Sequence, residues 1–87
     1  MSSSNELKPT QKLGDLKKQG FDYRLEEIHQ KDNSNHSWWT ATYFAWFPDE
    51  RGVPQKTTIG SWTAHEKQPA REEAARRALI YLGIIKE

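Results

Sequence analysis

Cysteine is missing from this chain, so disulfides and thiolate metal sites are excluded. The three histidines, His29, His36 and His65, show no zinc-ligand spacing, and His65-Glu66 lacks the remainder of an HExxH pattern. No apolar run reaches the length of about 20 residues that a membrane helix requires, and no secretory signal pattern is visible. An excess of one charge is also lacking. Thirteen Lys and Arg stand against 12 Asp and Glu, a net charge of +1, which argues against binding nucleic acid by bulk charge alone. No nucleophile–base pair or carboxylate pair stands at a recognisable spacing, so neither an enzyme nor a cofactor is expected. The expectation is a soluble intracellular protein, cytoplasmic or nuclear.

Aromatic residues are plentiful: four Trp, three Tyr and three Phe among 87 residues. A chain this short buries a modest core and relies on large side chains to fill it. One domain over residues 8–87 is expected, after a Ser-rich polar stretch, Met1–Leu7, that reads as a disordered tail.

Pro9 opens a helical segment that runs to Gln19, with Leu13 and Leu16 on its apolar side and Gly20 as a stop. Gly14 inside it costs about 1 kcal/mol relative to Ala, so this helix needs tertiary support. Phe21–Ile28 reads as a strand with Tyr23 and Leu25 on one face, and Gln30–Ser37 as a polar loop. Trp38–Phe47 is the clearest strand. Trp39, Ala41, Tyr43, Ala45 and Phe47 share one face, and Trp38, Thr40, Thr42, Phe44 and Trp46 share the other. A turn with Gly52 leads to a third strand over Gln55–Trp62. The last helix spans Pro69–Leu82, with Ala70, Ala74, Ala75, Ala78, Leu79 and Leu82 as its buried stripe and Gly83 beyond its end. Small alanines on that stripe let the helix sit close to a sheet. The order predicts a two-layer α+β fold, α-β-β-β-α, with an antiparallel three-stranded sheet and both helices on one face.

The start of the last helix carries Lys67 and Arg71 on one face, against the positive end of the helix dipole. Cations placed there make sense if an anion such as phosphate sits on them. Most other charges read as solvated faces and i,i+4 pairs.

Three stretches together resemble the double-stranded RNA-binding domain, over nearly all of residues 8–83. Lys8–Gly20 (KPTQKLGDLKKQG) is similar to the family's Pro-x-Gln-x-Leu-x-Glu-Leu helix, with Gln11 and Asp15 on the minor-groove positions. The loop KDNSNHSWW stands where the family carries a Gly-Pro-x-His-like loop, with Asn35 and His36 near the contact positions. The Gly-Pro itself is absent. Lys67-Gln68-Pro69-Ala70-Arg71 resembles the family's Lys-Lys-x-Ala-Lys phosphate clamp, with Gln68 in place of the middle cation and Glu66 beside Lys67. The downstream Ala74-Ala75-Arg76-Arg77-Ala78-Leu79 looks like the family's Ala-Ala-x-x-Ala-Leu.

The resemblance implies recognition of A-form duplex by shape, across two minor grooves and the intervening phosphates, over about 16 base pairs. Gln11, Asp15 and His36 would read 2′-hydroxyls, and Lys67 and Arg71 would clamp phosphates. The missing cation and the small net charge imply low-to-moderate affinity from one copy. In the same register Trp38, Phe44 and Trp46 fall on the helix-free face, where aromatics mark a protein or self-association interface. Stacking of single-stranded bases is a further reading of that face. A one-residue slip would exchange the two faces of the strand and place these three in the core. The alternative function is therefore the same fold used for protein interaction or homodimerisation, with weak or no RNA binding.

Overall fold

The computed structural model describes residues 8–86, so the Met1–Leu7 tail lies outside the described residues. The elements follow the expected order: α1 (Pro9–Lys18), β1 (Tyr23–Lys31), β2 (Ser37–Pro48), β3 (Pro54–Ala64) and α2 (Lys67–Tyr81). The strands form one antiparallel sheet in the order β1-β2-β3. Both helices cover one face of it, which gives the predicted α+β two-layer architecture, the general topology of the double-stranded RNA-binding domain.

The register of β2 is the expected one. Ala41, Tyr43 and Ala45 are buried beneath the helices, with Leu13 of α1, Ile59 of β3, and Ala70, Ala74, Ala75, Ala78 and Leu79 of α2. Tyr43 packs edge-on to Tyr23, with ring centres 5.7 Å apart. Burial, with a smaller push from Tyr23, raises the Tyr43 hydroxyl pKa to about 12. Trp38, Phe44 and Trp46 accordingly stand on the helix-free face.

The β2–β3 ladder carries a bulge. Tyr43 faces Gly60 and Phe44 faces Thr58, so Ile59 is an extra residue on β3. Ile59 and Gly60 are therefore buried in succession, and the alternation beyond them changes phase. Gly60 lies directly under α2. A Cβ built on it would fall 2.6 Å from the Ala78 backbone nitrogen and closer still to the Ala74 carbonyl oxygen. Past the bulge, Trp62 pairs with Ala41 and so reaches the helix side, where the Arg77 guanidinium covers its ring at 4.3 Å.

Element ends differ modestly from expectation. β1 and β2 extend the hairpin through His29, Gln30 and Lys31 to a Lys31–Ser37 pair, because backbone pairing continues where no side chain needs burial. α2 begins at Lys67, two residues before Pro69, since the first turn tolerates a proline without losing a hydrogen bond. Gly20 and Gly83 follow the two helices with positive φ, as helix-stop residues do.

Candidate nucleic-acid interface

β3 and α2 are joined by a short connection that fixes where α2 starts. The His65 ring nitrogen Nδ1 lies 3.3 Å from the Ser37 carbonyl oxygen, which ties this junction to the first residue of β2. The start of α2 and the β1–β2 loop therefore sit at the same end of the sheet. Glu66, at the cap position, is extended and makes no side-chain cap, and no acidic residue lies in the first turn of α2.

Lys67 and Arg71 do converge, as their spacing predicts, but on a carboxylate. Glu27 of β1 accepts from Arg71 Nε at 3.2 Å and from Arg71 Nη2 at 2.8 and 3.0 Å. Lys67 Nζ lies 4.0 Å from Glu27 Oε1. The two cations differ in access: the Lys67 side chain is 51% exposed and that of Arg71 32%. Lys67 also sits above the Trp39 ring, 5.3 Å from its centre, and the His29 ring stacks on the same Trp39 with ring centres 4.3 Å apart.

Gln68 is exposed and donates to Glu72 Oε2 at 2.7 Å. Glu72 also accepts from the Thr10 hydroxyl at 3.0 Å and from the Thr10 backbone N–H at 3.3 Å. One carboxylate thus joins the first turn of α1 to the first turns of α2. In α1, Gln11 and Asp15 share an exposed face opposite the buried Leu13. The Gln11 side chain accepts from the Lys8 backbone N–H at 3.1 Å, so it closes the helix start.

The β1–β2 loop is organised by Asp32. Its Oδ1 accepts from the backbone N–H groups of Ser34 at 2.9 Å and His36 at 3.0 Å. Its Oδ2 lies 3.4 Å from His36 Nδ1, and the Asp32 N–H donates to the His36 carbonyl at 2.9 Å. Asn35 takes a left-handed conformation, φ 66°, which Asn adopts more readily than most residues. His36 and Asn35 are thus held out by their own loop.

The helix-free face is partly covered by its own polar side chains. The Trp38 indole N–H donates to Gln30 Oε1 at 2.7 Å. Lys56 lies 4.1 Å above the Phe44 ring and 3.6 Å from Glu26. Between Trp38 and Phe44, Thr40 pairs with Thr63 and Thr42 with Ser61 through their hydroxyls, so the aromatics are separated by a polar ladder. Trp38, Phe44 and Trp46 are each half-buried.

Sequence reasoning passed over Glu27, Asp32, Trp39 and Glu72 as members of this region. Glu27 had a readable signal: it continues the inward alternation of Tyr23 and Leu25, and a charge on such a face requires a partner. Asp32 had another, since Asp at the start of a polar loop commonly caps it. Nothing local marks Glu72. The remaining cations of α2 are also paired. Arg76 and Arg77 both meet Glu73, and the Arg76 hydrogen bond holds the Glu73 carboxyl below the ordinary carboxylate range.

No protein-family model, curated protein or solved structure matches this chain. Among the described residues, no cluster of three or more His, Cys, Asp or Glu stands ready for a metal, and no helix is long and apolar enough to cross a membrane.

Proposed function

We propose that this domain is a divergent member of the double-stranded RNA-binding family and binds A-form duplex by shape, with little reading of sequence. The observation that carries this reading is the α-β-β-β-α topology, with three candidate contact elements linked around one end of the sheet. Thr10 and Gln68 meet on Glu72, and His65 joins the α2 start to the β1–β2 strand end. A duplex presents two minor grooves with phosphates between them, so a shape reader needs separate elements rigidly related to one another. Gln11, Asp15, Asn35 and His36 supply donors and acceptors for 2′-hydroxyls and backbone. Lys67 and Arg71, with Gln68 between them, meet phosphates.

Affinity from one copy is modest, because Gln68 stands where the family's clamp carries its middle cation and the net charge is only +1. The rival reading, protein interaction or self-association through Trp38, Phe44 and Trp46, has a specific observation on its side. Around the candidate clamp, Glu27, Glu66 and Glu72 outnumber Lys67 and Arg71.

An NMR titration with a plain duplex RNA of about 16 base pairs distinguishes the two. Amide shifts at Gln11, His36 and Lys67 are expected, reduced in Lys67→Ala and lost in the double variant Lys67→Ala, Arg71→Ala. Lys67→Ala alone preserves the Arg71–Glu27 pair and so the fold. Undiminished binding by a folded double variant refutes the clamp. Silence at those amides, with shifts at Trp38 and Trp46 on dilution, favours the interaction module.

A further inference from the structure

We infer that Glu27 is a built-in competitor for the anion that Lys67 and Arg71 would bind. The inference rests on the duplex-RNA reading of this clamp and adds a residue that sets its strength and selectivity. Glu27 lies on β1, 44 residues before Arg71, yet its two oxygens take three hydrogen bonds from that guanidinium. The geometry is the forked one that a guanidinium also makes with phosphate. The carboxylate therefore fills the place of the ligand it resembles, and it does so with the Lys67 ammonium also within reach.

The two cations consequently play different parts. Lys67, on the outside and resting over Trp39, is open to a first phosphate while the Arg71–Glu27 pair persists. Arg71 engages phosphate only when Glu27 is displaced. A single small anion has little to offer in that exchange, since the carboxylate is already held in place by the fold. A duplex offers several phosphates together with groove contacts to α1 and the β1–β2 loop, so it can offset the lost pair. Glu27 thus disfavours isolated anions more than it disfavours the duplex. It also holds Arg71 extended across the sheet when no ligand is present.

Glu27→Gln keeps the size of the side chain and one acceptor oxygen but removes its charge and turns the other acceptor into a donor. Glu26→Gln is the matched control: it removes the same charge one residue away, on the opposite face, where Glu26 pairs with Lys56. Duplex RNA is titrated into all three proteins over a range of salt. Glu27→Gln is expected to bind on the order of three- to tenfold tighter, with a salt slope close to the parent's because the same two cations meet phosphate in both. Glu26→Gln should stay near the parent protein. An equal gain in both variants, or no gain in a folded Glu27→Gln, overturns the inference.

Two further measurements keep the outcomes separate. In the unmodified protein, the Glu27 carboxylate carbon resonance should move when duplex is added, as Arg71 leaves it. A carboxylate that stays unmoved at duplex saturation overturns the inference even if Glu27→Gln fails to fold. If no protein binds duplex, the RNA reading falls by itself, and inorganic phosphate becomes the probe. A larger shift of the Arg71 Nε–H in Glu27→Gln than in the parent then upholds the competitor role, and equal shifts reject it.

Discussion

Gly60 shows how little room single residues have in this fold. It is the residue after the bulge, and the backbone of α2 lies where its side chain would be. Gly60→Ala must push α2 off the sheet, since backbone atoms rather than a flexible side chain stand in the way. Overpacking of this kind costs about 1–3 kcal/mol, and urea unfolding should show an unfolding free energy lower by that amount. Asp49 illustrates a different residue-level constraint. Its carboxylate accepts from the Val53 N–H at 3.0 Å, the Arg51 N–H at 2.8 Å and the Gln55 amide at 3.1 Å, closing the β2–β3 turn. Those bonds, led by the one from Val53, hold its pKa below the ordinary 3.8. Asp49 therefore favours the fold fully above that pH, and the contribution is lost as the pH falls through the depressed value. A carbon-detected titration should place the Asp49 midpoint below 3.8, and Asp49→Asn should blunt this part of the acid limb of stability. The alanine stripe and the aromatic positions were legible residue by residue. The steric need for glycine at position 60 was not, because it arises from where α2 lands.

At the scale of elements, α1 is the dependent one. It has only 10 residues, carries Gly14, and fully buries Leu13 alone. Isolated helices of that length are marginal in water, so its position depends on packing and on the Thr10–Glu72 bonds. Glu72→Ala removes an acceptor shared by Thr10 and Gln68 and should cost about 1 kcal/mol. The loss should be local, with faster hydrogen exchange in α1 and little change in β2. Uniform acceleration across the sheet would contradict that division. The element types and their order were readable from spacing: alternation for β2, an alanine stripe for α2, a glycine stop for each helix. The ends of the β1–β2 hairpin were less readable. His29, Gln30 and Lys31 look like loop residues by composition, but their backbone groups complete the ladder to Lys31–Ser37. The β3 bulge was also hidden, since a single inserted residue leaves no compositional mark and only changes which face Trp62 occupies.

The whole molecule is thin, with extents of 47 × 44 × 22 Å, as two layers dictate. Its charges are nearly balanced, and many are spent internally: Arg71 on Glu27, Arg76 and Arg77 on Glu73, Lys56 on Glu26. If Lys67 and Arg71 carry the phosphate contacts, the logarithm of the duplex binding constant should fall with that of salt at a slope of about −2. Fluorescence anisotropy over roughly 50–200 mM salt measures it. A slope several units steeper would mean that cations outside the clamp dominate. The helix-free face belongs to this scale too. Its aromatics were placed on the right side by alternation. Their separation by the Thr40–Thr63 and Thr42–Ser61 pairs, and the cover of Phe44 by Lys56, came from cross-strand neighbours.

Periodicity and punctuation within the chain were enough to specify the α-β-β-β-α order, the inward face of β2 and the helical spacing of Lys67 and Arg71. These are local properties: each depends on residues a few positions apart and on the geometry of one strand or helix. Folding alone decided what those two cations meet. Glu27 is remote in sequence and meets Arg71 only because α2, packed over β3 and β2, brings its first turns within reach of the neighbouring β1, so the same spacing that reads as an open clamp becomes a paired one. Position along the chain orders the charges, but an ion pair depends on distance through space, and the packing of α2 across the sheet sets that distance.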